Sequence, residues 1–146
     1  MPIKGINHVT LRVRSLEEAR KFYELLGFHE TGSREGMLFL AVNSHHHHIA
    51  LVEMGPEAVR PPKNSVGGHH FAVTVEHETE IGDLYRKLHA AGYSTGSVMD
   101  HTTNRGFYTK DADDNVVEIT FDAPREEWAD MDNPFLEDRP YTIPGE

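Results

Sequence analysis

Two stretches of the chain alternate apolar and polar residues with the period of two that is typical of a strand with one exposed face. They read HVTLRV from His8 and HFAVTV from His70, and their apolar positions are all β-branched or aromatic residues apart from Leu11. Each stretch therefore predicts a β-strand that carries a histidine at its start, on the polar side of the alternation.

A helix pattern follows each of these predicted strands. After the first, Ser15 is a predicted N-cap with Glu18 completing a capping box, and the helix ends at Gly27. Its apolar face consists of residues at helical spacing: Leu16, Ala19, Phe22, Tyr23 and Leu26. The second helix is predicted at about 81–91, closed by Gly92. Both halves thus continue in the same order.

The chain contains an internal repeat, because GINHVTLRV from Gly5 is similar to GHHFAVTV from Gly68, with His8 opposite His70. Three further strand-like stretches follow each helix. In the first half they lie at about 28–33, 37–42 and 46–54. In the second half they lie at about 94–99, 105–110 and 115–121. Each half is therefore predicted to be βαβββ.

The repeat predicts an α+β fold in which two pseudo-symmetric βαβββ modules form a curved, mostly antiparallel sheet around a metal cavity. We expect a single domain over 1–121, with modules at about 3–54 and 68–121. Residues 122–146 are acidic and are expected to form a C-terminal tail that wraps the domain. Its scattered apolar anchors are predicted to be Trp128, Phe135, Leu136 and Tyr141.

Composition narrows the function classes. A chain of 146 residues with 38% apolar content is large enough for one compact core. It has neither a long apolar run nor an apolar leader, so we expect a cytoplasmic protein that spans no membrane. A formal net charge of −10 disfavours nucleic acid and anionic lipid as partners. The absence of cysteine leaves nitrogen and oxygen as metal ligands, and we expect a small-molecule partner.

The repeat also predicts a site, since matching positions of two pseudo-symmetric modules approach a common axis. His8 matches His70, and aligning the last strands places Glu118 opposite Ala50. In NVVEITF the neighbours of Glu118 face the helix, which turns its carboxylate to the side of the histidines. Two histidines and one carboxylate form the facial triad typical of non-haem Fe(II) enzymes. His8, His70 and Glu118 are therefore predicted metal ligands.

Four consecutive histidines precede the last strand of the first half, in NSHHHHIALVEM from Asn43. An internal run that continues directly into apolar residues is not a purification tag, so it is either a surface cluster or part of the site. Strict alternation counted back from Ala50 turns His46 and His48 inward and His47 away. A bulge at the strand start would change that assignment.

Residues 3–121 resemble the vicinal oxygen chelate superfamily, and within it the type I extradiol ring-cleaving dioxygenases. The resemblance lies in GINHVTLRV, GHHFAVTV and FYTKDADDNVVEI. It implies that His8, His70 and Glu118 hold Fe(II), or alternatively Mn(II) or another divalent metal. It also implies that Tyr108 contacts a substrate oxygen, that the substrate is a catechol-type diol, and that dioxygen is the co-substrate.

Two further catalytic residues are implied by the same resemblance. The segment HHHIAL is similar to the family strand whose second histidine handles dioxygen and protons, a role that falls on His47 with His46 as its near neighbour. In DHTTNRGFY, His101 takes the role of a histidine on the substrate side of the metal. Because larger relatives carry two such domains, we expect this chain to form a homo-oligomer, a dimer.

Three alternatives stay open. A glyoxalase-like lyase would normally have a carboxylate or amide at the position of Ala50. A fosfomycin-type thiol transferase shares the two histidines and the glutamate, but it requires a cationic pocket, and only Arg12 and Arg105 lie near the predicted strands. A bleomycin-resistance-like binding protein would need an aromatic groove and no metal triad.

Overall fold

A computed structural model describes residues 2–146. The chain divides into two compact units, the first ending at Ser65 and the second running from Val66 to Glu146. Each unit contains one of the two predicted βαβββ modules. No helix within residues 2–146 combines the length and the apolar character needed to cross a membrane.

The first unit forms a four-stranded mixed sheet in the order β1-β4-β3-β2. Strand β1 pairs with β4 in parallel, and the other two pairings are antiparallel. Its elements are β1 (Val9–Val13), α1 (Leu16–Leu25), β2 (His29–Arg34), β3 (Met37–Ala41) and β4 (Ile49–Glu53).

The second unit repeats this topology in a separate four-stranded sheet, in the order β5-β8-β7-β6. Its parallel pairing joins β5 to β8, again the first and last strands of the module. Its elements are β5 (Phe71–Thr74), α2 (Thr79–Ala90), β6 (Thr95–Asp100), β7 (Asn104–Lys110) and β8 (Val116–Asp122). The predicted α+β class, the two βαβββ modules and the mainly antiparallel pairing are confirmed.

The alignment of the two modules is confirmed by the strand register. Ala50 of β4 lies between Thr10 of β1 and Phe39 of β3. At the equivalent place in the second sheet, Glu118 of β8 lies between Ala72 and Tyr108. Glu118 and Ala50 therefore occupy the same position of the repeated fold.

One strand boundary differs from the prediction and affects the histidine run. The last strand of the first unit begins at Ile49 rather than at 46, so the four histidines precede it. The backbone of His48 still links β1 and β3, since its carbonyl accepts from Val9 N–H and its own N–H donates to Leu40. Alternation counted back from Ala50 therefore does not assign the faces of the histidines, because they lie outside the strand.

The first helix begins as its sequence predicts. Ser15 caps it, with the side-chain oxygen accepting from Glu18 N–H at 3.3 Å. The Glu18 carboxylate does not complete the capping box, because it accepts from Lys21 instead. Helix α1 packs against β4 through the buried residues Ala19, Phe22 and Tyr23. Both helices are followed by a glycine at positive φ, Gly27 at 95° and Gly92 at 85°, as predicted from the sequence.

The C-terminal tail packs onto the second unit. Trp128 Nε1 donates to the carbonyl of Ala123, Tyr141 Oη donates to Glu78, and Ile143 is buried. Two of the predicted anchors are wrong, because Phe135 and Leu136 are 77% and 76% exposed. Polar groups and backbone contacts, rather than evenly spaced apolar side chains, hold most of this segment.

Gly106 provides a test of the sheet that carries Glu118. A Cβ atom on this residue of β7 would overlap the carbonyl oxygen of Ile119 on β8, whereas a Cβ on Gly96 of β6 would meet nothing closer than Ser94 Oγ at 4.0 Å. We expect Gly106→Ala to lower the free energy of unfolding by about 1–3 kcal/mol, as in other overpacked sites. Gly96→Ala is the matched control and should change it by less than about 1 kcal/mol. Urea unfolding of both variants measures this, and equal midpoints would contradict the close approach of β7 and β8.

Candidate active site

The parallel pairing of β5 with β8 brings together two of the three predicted metal ligands. His70 directly precedes β5, and its Nε2 lies 3.3 Å from Glu118 Oε2 on β8. Glu118 is only 7% exposed. A carboxylate removed from water to this degree is costly unless other groups compensate its charge. His70 and Glu118 are thus a close pair of nitrogen and oxygen donors, in which the carboxylate is buried and the histidine side chain is 29% exposed.

Asn104 holds the other oxygen of this carboxylate. Its Nδ2 donates to Glu118 Oε1 at 2.7 Å and to Thr120 Oγ1 at 2.9 Å. Such a partner fixes the orientation of a potential ligand. Asn104 was not predicted as a site residue, although the sequence carries a signal for it. On β7 it lies two residues before Gly106 and four before Tyr108, and so shares their face of the strand.

Tyr108 and His101 complete the polar group of the second unit. Tyr108 faces Glu118 directly across the β7–β8 pairing, and His101 lies in the turn between β6 and β7. His101 Nε2 lies 3.1 Å from Tyr108 Oη and 4.0 Å from Glu118 Oε1. The ring of Tyr108 meets that of His70 edge to face, with centroids 5.2 Å apart. Four predicted site residues of this unit therefore lie in one group.

Burial raises the pKa of the Tyr108 phenol, and the negative charges of Glu118 and Asp138 raise it further. The side chain therefore stays neutral at physiological pH. A neutral phenol can donate its own proton and at the same time accept a hydrogen bond from another hydroxyl.

Asp138 of the C-terminal tail also belongs to this group. Its Oδ1 lies 2.6 Å from His101 Nδ1, on the opposite side of the ring from Tyr108. Asp138 was not predicted as a site residue, because the tail has no periodic pattern from which its path could be predicted.

The first unit brings together two of its predicted site residues. The rings of His8 and His47 are 4.4 Å apart, and Nδ1 of His8 lies 2.7 Å from Asn7 Oδ1. His46 is exposed and lies beside His47, with their Nδ1 atoms 2.7 Å apart. Within this unit His47 therefore packs against the predicted ligand His8, whereas His46 packs against His45 and His47.

Partial burial lowers the pKa of His47, and the neighbouring histidines, with His8 first among them, lower it further. Its imidazole is neutral near pH 7 for this reason. A neutral imidazole is both a donor and an acceptor, and it can take up or release a proton in a reaction.

The donor types suit a divalent metal held by nitrogen and oxygen. Within residues 2–146 no three histidine or acidic side chains form a complete metal-binding cluster. The second unit contains the close pair His70 and Glu118, and in the first unit His8 directly precedes the equivalent strand. Imidazole and carboxylate donors are accepted by Fe(II) and Mn(II), so the residues present fit such an ion.

Comparisons with a family model and with known proteins point to the same protein family. A family model described as the Glyoxalase/Bleomycin resistance protein/Dioxygenase superfamily matches residues 5–119. Catechol-2,3-dioxygenase of Bacillus subtilis (strain 168) is 34% identical over 110 residues, which cover 73% of this chain and 37% of the relative. Biphenyl-2,3-diol 1,2-dioxygenase 2 of Rhodococcus globerulus is 29% identical over 133 residues, which cover 87% of this chain and 69% of the relative.

Solved structures confirm the fold but include proteins with different activities. A glyoxylase/bleomycin resistance protein/dioxygenase domain from Frankia sp. EAN1pec matches with a TM-score of 0.69 at 23% identity, covering 83% of this chain and 99% of that one. A fosfomycin resistance protein from Listeria monocytogenes matches with a TM-score of 0.64 at 20% identity, covering 86% and 98%. At such identities the likeness establishes the fold alone.

The electrostatic coupling of Glu118 to Tyr108 can be measured. Replacing Glu118 with Gln removes a negative charge that disfavours the phenolate, so the pKa of Tyr108 should fall while staying above its ordinary value, because burial is the larger cause. Ultraviolet titration of the tyrosines measures this pKa. The chain has five tyrosines, so the difference from a Tyr108→Phe variant isolates the signal of Tyr108. Glu24→Gln, an exposed carboxylate of the first unit, is the control. A Tyr108 titration that is the same in wild type and Glu118→Gln would show that the two groups do not interact.

Proposed function

The chain belongs to the glyoxalase/bleomycin resistance protein/dioxygenase superfamily, and from this premise we propose that it is a divalent-metal extradiol dioxygenase. Its substrates would be a catechol-type diol and dioxygen. The observation that carries the proposal is the placement of Glu118 between His70, Tyr108 and Asn104, with His101 beside Tyr108. Two relatives named as diol dioxygenases support it, although the chain spans only 37% and 69% of their lengths.

His8, His70 and Glu118 are the proposed metal ligands. The close approach of His70 and Glu118 supports the assignment, as does the equivalence of His8 and His70 at the starts of β1 and β5. Fe(II) or Mn(II) would supply a template on which two adjacent diol oxygens and dioxygen meet, and it would stabilise the charge that develops. Ala50, at the position equivalent to Glu118, offers no side-chain donor.

The remaining polar groups act on the diol and on protons. Tyr108, kept neutral by its surroundings, can accept a hydrogen bond from a diol hydroxyl and so orient the ring. His101 lies within hydrogen-bond reach of Tyr108 and close to Glu118, where it extends the polar wall on one side of the site. His47, neutral near pH 7 and in contact with His8, is suited to exchange a proton while the ring opens.

The alternative activities find less support in the side chains. A fosfomycin-type transferase must bind a phosphonate, but Arg105 already donates to Glu78 at 2.8 Å and to Glu127 at 2.9 Å. A guanidinium neutralised by two carboxylates attracts an external anion poorly. For a glyoxalase-like lyase, this chain lacks the carboxylate or amide ligand that would be expected at the position of Ala50. If the chain were a metal-free binding protein, the burial of Glu118 and its orientation by Asn104 would have no functional explanation.

Anaerobic loading with Fe(II), followed by oxygen uptake with catechol and 2,3-dihydroxybiphenyl, tests the proposal. We expect oxygen consumption and a yellow ring-fission product with at least one diol. His8→Ala, His70→Ala and Glu118→Gln should each lower the bound metal measured by elemental analysis. His29→Ala, an exposed histidine of β2, should bind metal as the wild type does. Metal content that is the same in all four variants would exclude the proposed ligands, and iron-loaded protein that consumes no oxygen would exclude the activity.

His47 and His46 give a test that separates proton transfer from metal binding. His47→Ala should keep the metal while lowering kcat by about two to four orders of magnitude, the usual contribution of a general acid or base. His46→Ala should have a much smaller effect, because its ring is exposed and does not contact His8. Steady-state oxygen uptake at matched metal content measures both variants. A larger loss in His46→Ala would reverse the assignment.

A further inference from the structure

Three consecutive residues of the C-terminal tail contact three consecutive residues of the turn that carries His101. Asp100 and Arg139 exchange two backbone hydrogen bonds, of 3.2 Å and 2.7 Å. Thr102 Oγ1 donates to the carbonyl of Glu137 at 3.2 Å, and His101 Nδ1 lies 2.6 Å from Asp138 Oδ1. The tail therefore runs antiparallel to the turn, and each of its residues there holds one residue of the turn.

The turn needs such support, because its backbone is strained. Thr102 has φ at 72° and is buried, and a β-branched residue in this left-handed region is a genuine outlier. A conformation of this kind persists only where its surroundings fix it. The Thr102 N–H donates to Asp100 Oδ1 at 2.7 Å, and the tail holds its side chain. The position of His101 therefore depends on contacts that the strand pairing alone does not provide.

The contact with Asp138 also sets which ring nitrogen of His101 carries the proton. An ionised carboxylate is only an acceptor, so the nitrogen that faces it at 2.6 Å must be the donor. In a neutral imidazole the other nitrogen, Nε2, then has a free lone pair. This lone pair faces Tyr108 Oη at 3.1 Å and can only accept from it.

We propose that Asp138 is a positioning residue: it holds His101 with Nδ1 protonated, so that Tyr108 donates to His101 Nε2 and keeps its oxygen lone pairs for the diol. The hydrogen bonds then run in one direction, from Tyr108 through His101 to the tail. Without Asp138 the ring could protonate Nε2 instead, and Tyr108 would have to accept from it. The last part of this inference rests on the proposed diol dioxygenase function, while the tautomer of His101 does not.

Asp138 is not required to attach the tail. Glu127 on one side of it binds Arg105, and on the other side Tyr141 donates to Glu78 and Ile143 is buried. The side chain of Asp138 is itself 52% exposed. Its removal should therefore leave the fold and the remaining tail contacts intact, which makes substitution a clean test.

The first experiment determines the tautomer of His101 and does not depend on enzyme activity. Long-range proton–nitrogen NMR of the imidazoles, on the full-length protein before metal loading, should show His101 with Nδ1 protonated, the signals being assigned by their loss in His101→Gln. Asp138→Ala should shift His101 toward the tautomer with Nε2 protonated. Asp132→Ala removes another exposed tail carboxylate and should change nothing. His101 with Nε2 protonated in the wild type, or unchanged by Asp138→Ala, would overturn the proposal.

The second experiment measures how the loss of Asp138 affects turnover. At equal metal content, Asp138→Ala should lower kcat by about 10–100-fold, the usual effect of losing a partner that orients a site residue, with little change in KM. In a His101→Ala background the same substitution should have no further effect, because Asp138 acts through His101. Losses that simply multiply in the double variant would indicate a purely structural role and overturn the proposal. A wild type that cleaves no diol but shows His101 with Nδ1 protonated would defeat the proposed function alone.

Discussion

A carboxylate buried in the middle of a sheet is the constraint on which the second unit depends. Glu118 lies on β8 between β5 and β7, and its polar partners lie at the starts of these two strands, since His70 directly precedes β5 and Asn104 begins β7. Asn104 donates to one carboxylate oxygen, and His70 approaches the other. Burying an ionised carboxylate without such partners would cost several kcal/mol, which is a large part of the stability of a domain this size. Two of the residues in this arrangement, His70 and Glu118, are also proposed ligands of a metal ion.

The first unit shows what the same fold looks like without that constraint. At the position of Glu118 it has Ala50, and opposite this residue Phe39 stands where the second unit has Tyr108. Ala50 is fully buried with no polar group to satisfy. The polar residues of this unit gather instead at the start of β1, where His8 lies against His47. The repeated backbone thus carries two different sets of side chains, one of which supplies a carboxylate and the other only imidazoles.

The parts of this arrangement that follow from local periodicity could be predicted from the sequence. Alternation identified β1 and β5, and the internal repeat aligned Glu118 with Ala50. The histidine run was predicted to open the last strand of the first half, but β4 begins only at Ile49, after a local turn in which Asn43 Oδ1 accepts from His45 N–H. Asp138 had no sequence signal, since its contact with His101 arises from the path of an aperiodic tail. Long-range contacts of this kind are set by the whole fold rather than by neighbours in sequence.

The charges around Tyr108 also restrict what can bind there. Glu118 and Asp138 both disfavour a negative charge at the phenol, and Arg105 on the same strand is neutralised by Glu78 and Glu127. An anionic substrate such as a phosphonate would meet the negative charges of two carboxylates near Tyr108. A neutral diol meets no such penalty, because its hydroxyl protons need acceptors rather than cations. Tyr108 can be that acceptor only if its own proton is directed elsewhere, which is what a His101 ring held by Asp138 would accomplish.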